Sequence, residues 1–495
     1  MSLELLVGLA VIIVVFIYYY FNLNYWKKRH ITYVSPLCLL KNLCVPYTDE
    51  IDFGTITQEM YLQKKRSGHK YFGAFAFRVP ILMIIDLDVC KQILSKDFNY
   101  FTARGLPVGY RHLFALESEF LGDMRTSLIK TFTSEKIKDM FQPMWKCAKQ
   151  LTDHINKVVL KEGDFEVKYL MSRFTATIIT TCFFGLEINF MEEQGDDFFR
   201  VRQLIFKPKR WLFFRLVTLL RLPESAKAME SIKPKILVIL RKVMRETLEY
   251  RKMHKVVKND IVDILMKMRR NNPSHAGQGN TAPTLEEMMA HAFLFYAAGF
   301  QASGSTTSYC LYELARNPSI QEKLRQEIDE LLAKYGKITN QALQKMAYMD
   351  QVVHETLRMY APLPFLTRAC TKRYPFPNSD LVIDKGVLVN IPIYAIHHDP
   401  DIYPDPYKFD PDRFSEENSR ETHQFAFLPF GSGHRMCIGM KFGLLQVKFA
   451  LATILSNYQL SPASDTPSSL ERNPQLEFYN AETTFNLRFT KRTKQ

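Results

Sequence analysis

The residues best suited to chemistry lie in one short segment, FLPFGSGHRMCIGMKFG, which runs from Phe427 to Gly443. It fits the pattern F-x-x-G-x-R-x-C-x-G at every fixed position, namely Phe430, Gly433, Arg435, Cys437 and Gly439. Cys437 lies where a glycine-rich loop turns into a helix, so backbone N–H groups and the helix N-terminus can stabilise its thiolate. Gly431 and Gly433 let the backbone fold tightly and approach a flat ligand closely. The segment therefore predicts a thiolate that serves as a metal ligand.

Three interpretations of Cys437 compete. A lone cysteine after a turn is most often a buried free thiol. A zinc site with His434 is weaker, because two ligands do not make one. A thiolate can also be the axial ligand of a heme iron, where it pushes electron density onto the metal and favours O–O cleavage. Arg435 could then reach a heme carboxylate, and the five matched positions favour this third interpretation.

A second segment, HAFLFYAAGFQASGSTTSYCLYELARNP from His291 onward, predicts the middle of a long helix. Thr284 and Glu287 form a capping box at its start, and Asn317-Pro318 ends it. The helix would be roughly 48 Å long. Its centre is unusual because small and polar residues interrupt it: Gly299, Gln301, Ser303, Gly304, Ser305, Thr306 and Thr307. Buried hydroxyl groups need partners, so this stretch is the second candidate for chemistry.

The remaining patterns predict a mainly α protein with a small β portion. Two β-rich runs within Tyr71–Asp86, broken at Val79-Pro80, predict a hairpin. The signal is mainly helical from about Asp88 to Arg373, and Tyr374–Phe430 is rich in Pro and Asp with short strands. A further helix is expected to begin near Cys437. The final LEFYNAETTFNLRFTKR predicts a terminal strand pair.

Composition narrows the class of protein. The chain has 495 residues, of which 47% are apolar and 23% charged, as expected for a globular protein with a large core. Its net charge of +14 comes from scattered basic residues without a nucleic-acid motif, so a membrane surface or an acidic protein partner is favoured over nucleic acid. Eight cysteines without a CxxC pair indicate mostly reduced thiols in a cytosol-facing protein.

The N-terminal segment predicts a membrane anchor. Leu5–Phe21 contains no charge, and a helix of this length spans about 25 Å, at the short end of what a bilayer requires. Aromatic residues and the basic cluster Lys27-Lys28-Arg29 follow it. A cleavable signal peptide would instead have a basic start and a small-residue cleavage site. The pattern favours an uncleaved anchor with the following chain in the cytosol.

The whole chain resembles the cytochrome P450 family. Its sequence is most similar to insect microsomal members of the clan that also includes the vertebrate drug-metabolising forms. The segments that carry the resemblance occur in the family's order: KDFNYFTARG, KTFTSEKIKDMF, CLYELARNP, VVHETLRMY, YPDPYKFDPDRF and the Cys437 segment. The resemblance implies the cytochrome P450 fold and heme b with Cys437 as its iron ligand. It also implies monooxygenase activity, in which one oxygen atom of O2 enters a lipophilic small molecule.

The resemblance assigns further roles. Glu355 and Arg358 lie three residues apart on one helix face, where they can pair, and with Arg413 they match the family's structural Glu-Arg-Arg cluster. Matching positions nominate four arginines for the heme propionates: Arg104, Arg125, Arg368 and Arg435. The loop residues Phe430, Gly431, Gly433 and Gly439 complete the implied cofactor-binding set. Leu121 stands where the family usually has a tryptophan, so one propionate should lose an indole N–H donor.

The central helix departs from the family pattern, which is approximately A-G-x-(D/E)-T. A gapless alignment places Gln301 on the acid and Ala302 on the alcohol, yet glutamine cannot exchange a proton near pH 7 and alanine has no hydroxyl. The candidate catalytic residues are therefore Gln301 and Ala302 together with the hydroxyls of Ser303 and Thr306. Monooxygenation could continue through these hydroxyls or water, coupling could be poor, or the enzyme could perform a peroxide-dependent rearrangement or dehydration. A non-catalytic heme-binding or sensing protein is a fourth alternative.

The resemblance also implies partners and location. Electrons would come from NADPH through the membrane-bound NADPH–cytochrome P450 reductase, with cytochrome b5 as an optional second donor. The acidic docking face of such reductases would complement the basic chain, and Lys441 and Lys448 are candidate docking residues. Substrate contacts are expected from five segments: 106–116, 199–217, Phe293–Ser305, PLPFL and NAETTF. Residues 1–29 would anchor the protein in the endoplasmic reticulum membrane, and residues 30–495 would form a cytosol-facing catalytic domain that binds no nucleic acid.

Overall fold

A computed structural model describes most of the chain, namely residues 24–34, 53–76, 79–105, 113, 125–160, 163–189, 191, 234–258, 260–270, 285–377, 379–470 and 484–493. Several predictions lie outside these ranges: the anchor at Leu5–Phe21, Leu121, Thr284, the 199–217 segment and most of the 106–116 loop. Within the described ranges, no helix combines the length and the apolar character needed to cross a membrane.

Helices dominate the described residues, as the sequence predicts. In chain order the α-helices are α1 (Phe53–Arg66), α2 (Leu87–Lys91), α3 (Ser134–Asp139), α4 (Phe141–Val159), α5 (Val167–Phe184), α6 (Pro234–Met253), α7 (Ile261–Arg270), α8 (Leu285–Arg316), α9 (Pro318–Tyr335), α10 (Asn340–Lys345), α11 (Ala347–Met359), α12 (Ile393–His397), α13 (Glu416–Glu421) and α14 (Met440–Leu455). The π-helical turn Gln92–Lys96 follows α2, and the 3-10 turn Gly433–Arg435 precedes Cys437.

The β portion consists of short strands: β1 (Tyr71–Ala76), β2 (Val79–Ile84), β3 (Phe165–Glu166), β4 (Leu366–Ala369), β5 (Tyr374–Pro375), β6 (Val382–Ile383), β7 (Leu388–Ile391), β8 (Tyr458–Pro462) and β9 (Asn486–Lys491). The described sheets have the orders β1-β2-β7-β4, β3-β9-β8 and β5-β6. In the first sheet β2 and β7 are parallel, and the other neighbours are antiparallel.

Two strand predictions need adjustment. The predicted hairpin is confirmed, since β1 pairs antiparallel with β2. Val79 and Pro80 belong to β2, however, so the predicted break between the runs lies too late in the chain. At the C-terminus β9 pairs with β8 and β3. Residues 476–479, which were predicted to pair with this strand, lie outside the described ranges.

The long helix α8 is confirmed, with 32 residues. Two of the glycines that interrupt it face α5. A Cβ at Gly299 would lie 2.4 Å from Ile179 Cδ1, and a Cβ at Gly304 would lie 2.9 Å from Thr175 Oγ1. The Thr175 hydroxyl donates a hydrogen bond to the Phe300 carbonyl at 2.9 Å. Glycine is therefore needed at these two positions because two helix backbones approach each other closely there.

The apolar core has two parts. The larger part joins α4, α5, α8, α11 and α14, and the smaller part joins the β1-β2-β7-β4 sheet with α1. Helix α14 packs against α8, where Ser303 Oγ lies 3.7 Å from the place of a Cβ on Gly443. Phe132 also connects α8 to the start of α14. Its ring stacks on Phe295 of α8 at 5.9 Å and lies 3.5 Å from the place of a Cβ on Gly439. The core thus fixes the Cys437 loop, residues 430–439, relative to the centre of α8.

Candidate heme-thiolate site

The Cys437 loop presents one thiol at the start of a buried helix. The Cys437 N–H donates to the Phe430 carbonyl at 2.9 Å, and α14 begins three residues later at Met440. Cys437 is exposed, whereas the other described free cysteines are buried: Cys90, Cys147, Cys182, Cys310 and Cys370. An accessible thiol on a tightly bonded loop is suited to ligation, and a buried structural cysteine is not.

The surroundings of Cys437 have opposite effects on the pKa of its thiol. Although the side chain is accessible, the protein atoms packed around it raise the pKa of the thiol through desolvation. The Gly439 N–H, which bonds to the sulfur, lowers the pKa, and the cations of Arg104 and Arg125 lower it further. A metal ion would deprotonate a coordinating thiol outright. The loop therefore supplies a hydrogen bond and nearby positive charge to the thiolate that ligation would create.

The glycines of the loop do more than open space for a ligand. Gly433 has φ +69°, and a Cβ there would lie 2.0 Å from the Leu94 carbonyl oxygen. Any other residue would collide with the backbone of the π-helical turn Gln92–Lys96. Gly431 also has positive φ, +70°, and faces Leu366, while Gly439 faces Phe132. The neighbours at these three positions are protein atoms, so the glycines serve loop packing in addition to any approach to a ligand.

The structure brings the four predicted arginines together around the loop. An isolated bridge joins Ala103 to Ala369 and so places Arg104 beside Arg368. Arg104 Nη2 donates to the Arg435 carbonyl at 3.1 Å, and Arg125 Nη2 donates to the Met436 carbonyl at 2.7 Å. Arg435 Nη2 donates to the Thr102 carbonyl at 2.8 Å. Residues far apart in the chain therefore converge on the Cys437 loop.

This cluster is electrostatically suited to an anion. Burial lowers the pKa of Arg104 to about 9, and the charges of Arg368, Arg435 and Arg125 add to the effect. Burial and Arg435 lower the pKa of Arg368 to about 10. Arg368 is 1% exposed, and its Nε has no hydrogen-bond partner. A buried donor without a partner costs free energy, and so does the repulsion between like charges. A carboxylate would accept the free N–H and would also neutralise part of the positive charge. The residues present thus fit the propionates of a heme.

The Glu-Arg-Arg cluster has the predicted form. Glu355 and Arg358 are fully buried and form a two-point ion pair, with Nε–Oε2 at 2.7 Å and Nη2–Oε1 at 2.8 Å. Arg413 Nε lies 3.4 Å from Glu355 Oε1, which also accepts the Asp410 N–H at 3.0 Å. The cluster therefore joins α11 to the segment that precedes the Cys437 loop.

Sequence reasoning missed a histidine that extends this connection. Arg358 Nη1 donates to the His397 carbonyl at 2.8 Å, and His397 Nε2 accepts the Leu428 N–H at 2.9 Å. The proton of the neutral ring therefore sits on Nδ1, 3.1 Å from the Arg358 carbonyl. Burial keeps the pKa of His397 well below its ordinary value, and His398 and Arg358 add to this effect. The adjacent histidines His397 and His398 were the only sign of this connection in the sequence, and two neighbouring histidines do not by themselves indicate burial.

We expect stability to fall as the pH drops below about 6.5. The pKa of His398 is about 3, against an ordinary 6.5, mainly because of burial and secondly because of Arg358. The unfolded chain therefore binds the proton first, and stability fully present above pH 6.5 is lost as the pH falls toward 3. The loss is about 1.4 kcal/mol per pH unit for each such histidine. Urea unfolding should show a shallower pH dependence in His398→Asn than in the wild type. Equal slopes would contradict the expectation.

The middle of α8 presents one accessible face. Leu294, Ala298, Ala302 and Ser305 lie at helical spacing on one side; Ala298 is exposed and the other three are partly exposed. Gln301, Ser303 and Thr306 are only 8%, 6% and 4% exposed. The structure therefore places Ala302 on the accessible face and buries the other three predicted catalytic residues more deeply.

The two predicted docking lysines differ. Lys441 is exposed, as a docking residue must be. Lys448 is 6% exposed, and its Nζ forms an ion pair with Asp350 at 2.8 Å. The prediction for Lys448 is wrong, because this residue faces α11 and joins two helices of the core.

A mainly α fold, an accessible thiol at a helix start and the two buried arginines Arg368 and Arg435 are features that a heme-thiolate protein requires. The comparisons agree: a family model described as Cytochrome P450 matches residues 50–489. A probable cytochrome P450 6a14 of Drosophila melanogaster is 38% identical, with 90% of each chain covered. Cytochrome P450 6j1 of Blattella germanica is 36% identical, with 92% of this chain and 91% of the relative covered. The chain belongs to the cytochrome P450 family and is a P450 monooxygenase.

Proposed function

We propose that the protein inserts one oxygen atom of O2 into a lipophilic small molecule, with electrons from NADPH delivered by a reductase. The observation that carries the proposal is the accessible Cys437 thiol, which receives the Gly439 N–H and lies close to the cations of Arg104 and Arg125. Heme bound there would supply the iron at which O2 is activated. Cys437 would ligate this iron, and Arg104, Arg125, Arg368 and Arg435 would hold the propionates.

The accessible face of α8 supports the nature of the substrate. It carries Leu294, Ala298 and Ala302, and apolar side chains that leave space are suited to a lipophilic molecule beside O2. The lipophilic molecule is a xenobiotic or an endogenous lipid, hormone or pheromone.

A second candidate function is favoured by one observation. The family's acid–alcohol pair is replaced by Gln301 and Ala302, and neither residue can transfer a proton. A peroxide-dependent rearrangement or dehydration would not need that pair, and a poorly coupled oxidase would result if nothing replaced it. Proton delivery therefore decides between these functions and efficient monooxygenation.

We further propose that residues 1–29 anchor the chain in the endoplasmic reticulum membrane and that residues 30–495 form the catalytic domain. Support comes from the uncharged Leu5–Phe21 run and the basic residues after it. The reductase would dock near the exposed Lys441, with cytochrome b5 as an alternative donor.

The deciding experiment is a reduced, CO-bound difference spectrum followed by turnover assays. We expect the Soret band that is characteristic of thiolate-ligated heme, and oxygenated product with NADPH plus reductase. Product from added hydroperoxide alone would instead support the rearrangement, and NADPH use with peroxide release would support the uncoupled oxidase. A folded protein without the thiolate band would contradict the heme-thiolate site altogether.

A further inference from the structure

One hydroxyl group lies on the accessible face of α8. Ser305 follows Ala302 by three residues and is partly exposed, in line with Ala298 and Leu294. The hydroxyls of Ser303 and Thr306 belong to buried residues, and two further hydroxyls bond within the helix. Thr307 Oγ1 donates to the Ser303 carbonyl at 2.8 Å, and Ser308 Oγ donates to the Gly304 carbonyl at 2.7 Å. Ser305 is thus placed as the candidate to act in the space beside Ala302.

Gln301 orients this hydroxyl. Its Nε2 lies 3.4 Å from Ser305 Oγ, one helical turn further on, in a long hydrogen bond. An amide N–H can only donate, so the serine oxygen accepts this bond, and the hydroxyl proton is left to point elsewhere. Glutamine has no ionisable proton near pH 7, so its part is to position Ser305 rather than to carry the proton itself.

The same carboxamide indicates a bound molecule. Gln301 is 8% exposed, and its Oε1 is buried without a hydrogen-bond partner in the described structure. A buried acceptor without a donor costs free energy, and native proteins usually satisfy it with protein or ordered water. A water molecule needs two or more polar partners, and Gln301 Oε1 with Ser305 Oγ would provide them. Ala302 lacks the methyl and hydroxyl groups that a threonine would carry at this position, so its side chain takes up less of the volume beside this pair.

We propose that Gln301 and Ser305 hold one water molecule beside Ala302, and that this pair replaces the missing acid and alcohol as the route for protons. Ser305 Oγ gives its proton to an oxygen atom bound at the accessible face of α8 and takes one from the held water. That water is reprotonated from solvent, so both residues end in their starting state. Ser305 is a catalytic residue in this scheme and Gln301 is a positioning residue. The proton role rests on the proposed monooxygenase function, whereas the water site does not.

The first test is a high-resolution crystal structure of the wild-type holoenzyme and of Ser305→Ala. We expect a water within hydrogen-bond distance of both Gln301 Oε1 and Ser305 Oγ in the wild type, and its loss in the variant. A structure with no water between these atoms would overturn the proposal, whatever the enzyme's activity. This readout is independent of turnover, so its failure can be told apart from failure of the proposed function.

The second test measures product formed per NADPH consumed. We expect Ser305→Ala to lower this ratio on the order of tenfold, since positioned proton transfer contributes at least that much. Ser305→Thr should retain the ratio, and adding Ala302→Thr to Ser305→Ala should restore it. Ser308→Ala is the matched control, because it makes the same substitution one turn along at a hydroxyl bonded within its own helix. An equal ratio in Ser305→Ala and Ser308→Ala would overturn the proton role.

Discussion

Cys437→Ser is expected to abolish both the thiolate-type Soret band of the reduced CO complex and NADPH-driven oxygenation. A serine hydroxyl is not a soft ligand and cannot donate electron density to a heme iron as a thiolate does. The substitution removes one sulfur atom from an exposed position, so the fold should persist. We expect a circular dichroism spectrum like that of the wild type, together with activity at the background level.

The matched control is Cys147→Ala. Cys147 is buried at 2% exposure on α4, where its Sγ lies 3.9 Å from Thr181 Oγ1, and burial raises the pKa of its thiol to about 11. This variant should keep the Soret band and the activity while losing some stability. A retained thiolate band in Cys437→Ser would show that another cysteine is the ligand and would contradict the proposed site.

The sequence was most informative where the chemistry is local. All fixed positions of the Cys437 pattern fall within ten residues, so the loop and the start of α14 could be predicted without knowledge of distant contacts. The pairing of Glu355 with Arg358 was equally accessible, because residues three apart share a helix face. Resemblance to the family supplied the arginines, but only the Ala103–Ala369 bridge explains how two of them meet.

Properties that depend on distant partners could not be predicted. Lys448 was expected at the surface, yet it forms an ion pair with Asp350, which lies 98 residues earlier on α11. His397 was overlooked because its two ring contacts, Arg358 and Leu428, come from different parts of the chain. A single sequence offers no sign of either contact, since burial is decided when helices and loops pack.

The interrupted centre of α8 shows both what the sequence can predict and what it cannot. Its small and polar residues were interpreted as one candidate site for chemistry, but they divide between two faces. Gly299 and Gly304 permit close contact with α5, while Ala302 and Ser305 lie on the accessible side. Helical periodicity could have separated the faces, but not identified which of them meets another helix.

The second large effect is expected for Glu355→Gln, which should destabilise the folded protein by about 3–5 kcal/mol. The substitution keeps the volume of the side chain but leaves Arg358, fully buried, without its countercharge. It also weakens the acceptor of the Asp410 N–H and the partner of Arg413. Urea unfolding at neutral pH measures the loss directly.

The surface pair Arg420–Glu416 provides the matched control, since both residues are exposed and lie four apart on α13. Glu416→Gln should change the free energy of unfolding by no more than about 0.5 kcal/mol. The buried variant should also lose heme more readily than the control, because Arg358 connects through His397 to Leu428, which precedes the Cys437 loop. If the two variants were equally stable and retained heme equally, the Glu355–Arg358 pair would not be what holds that loop in place.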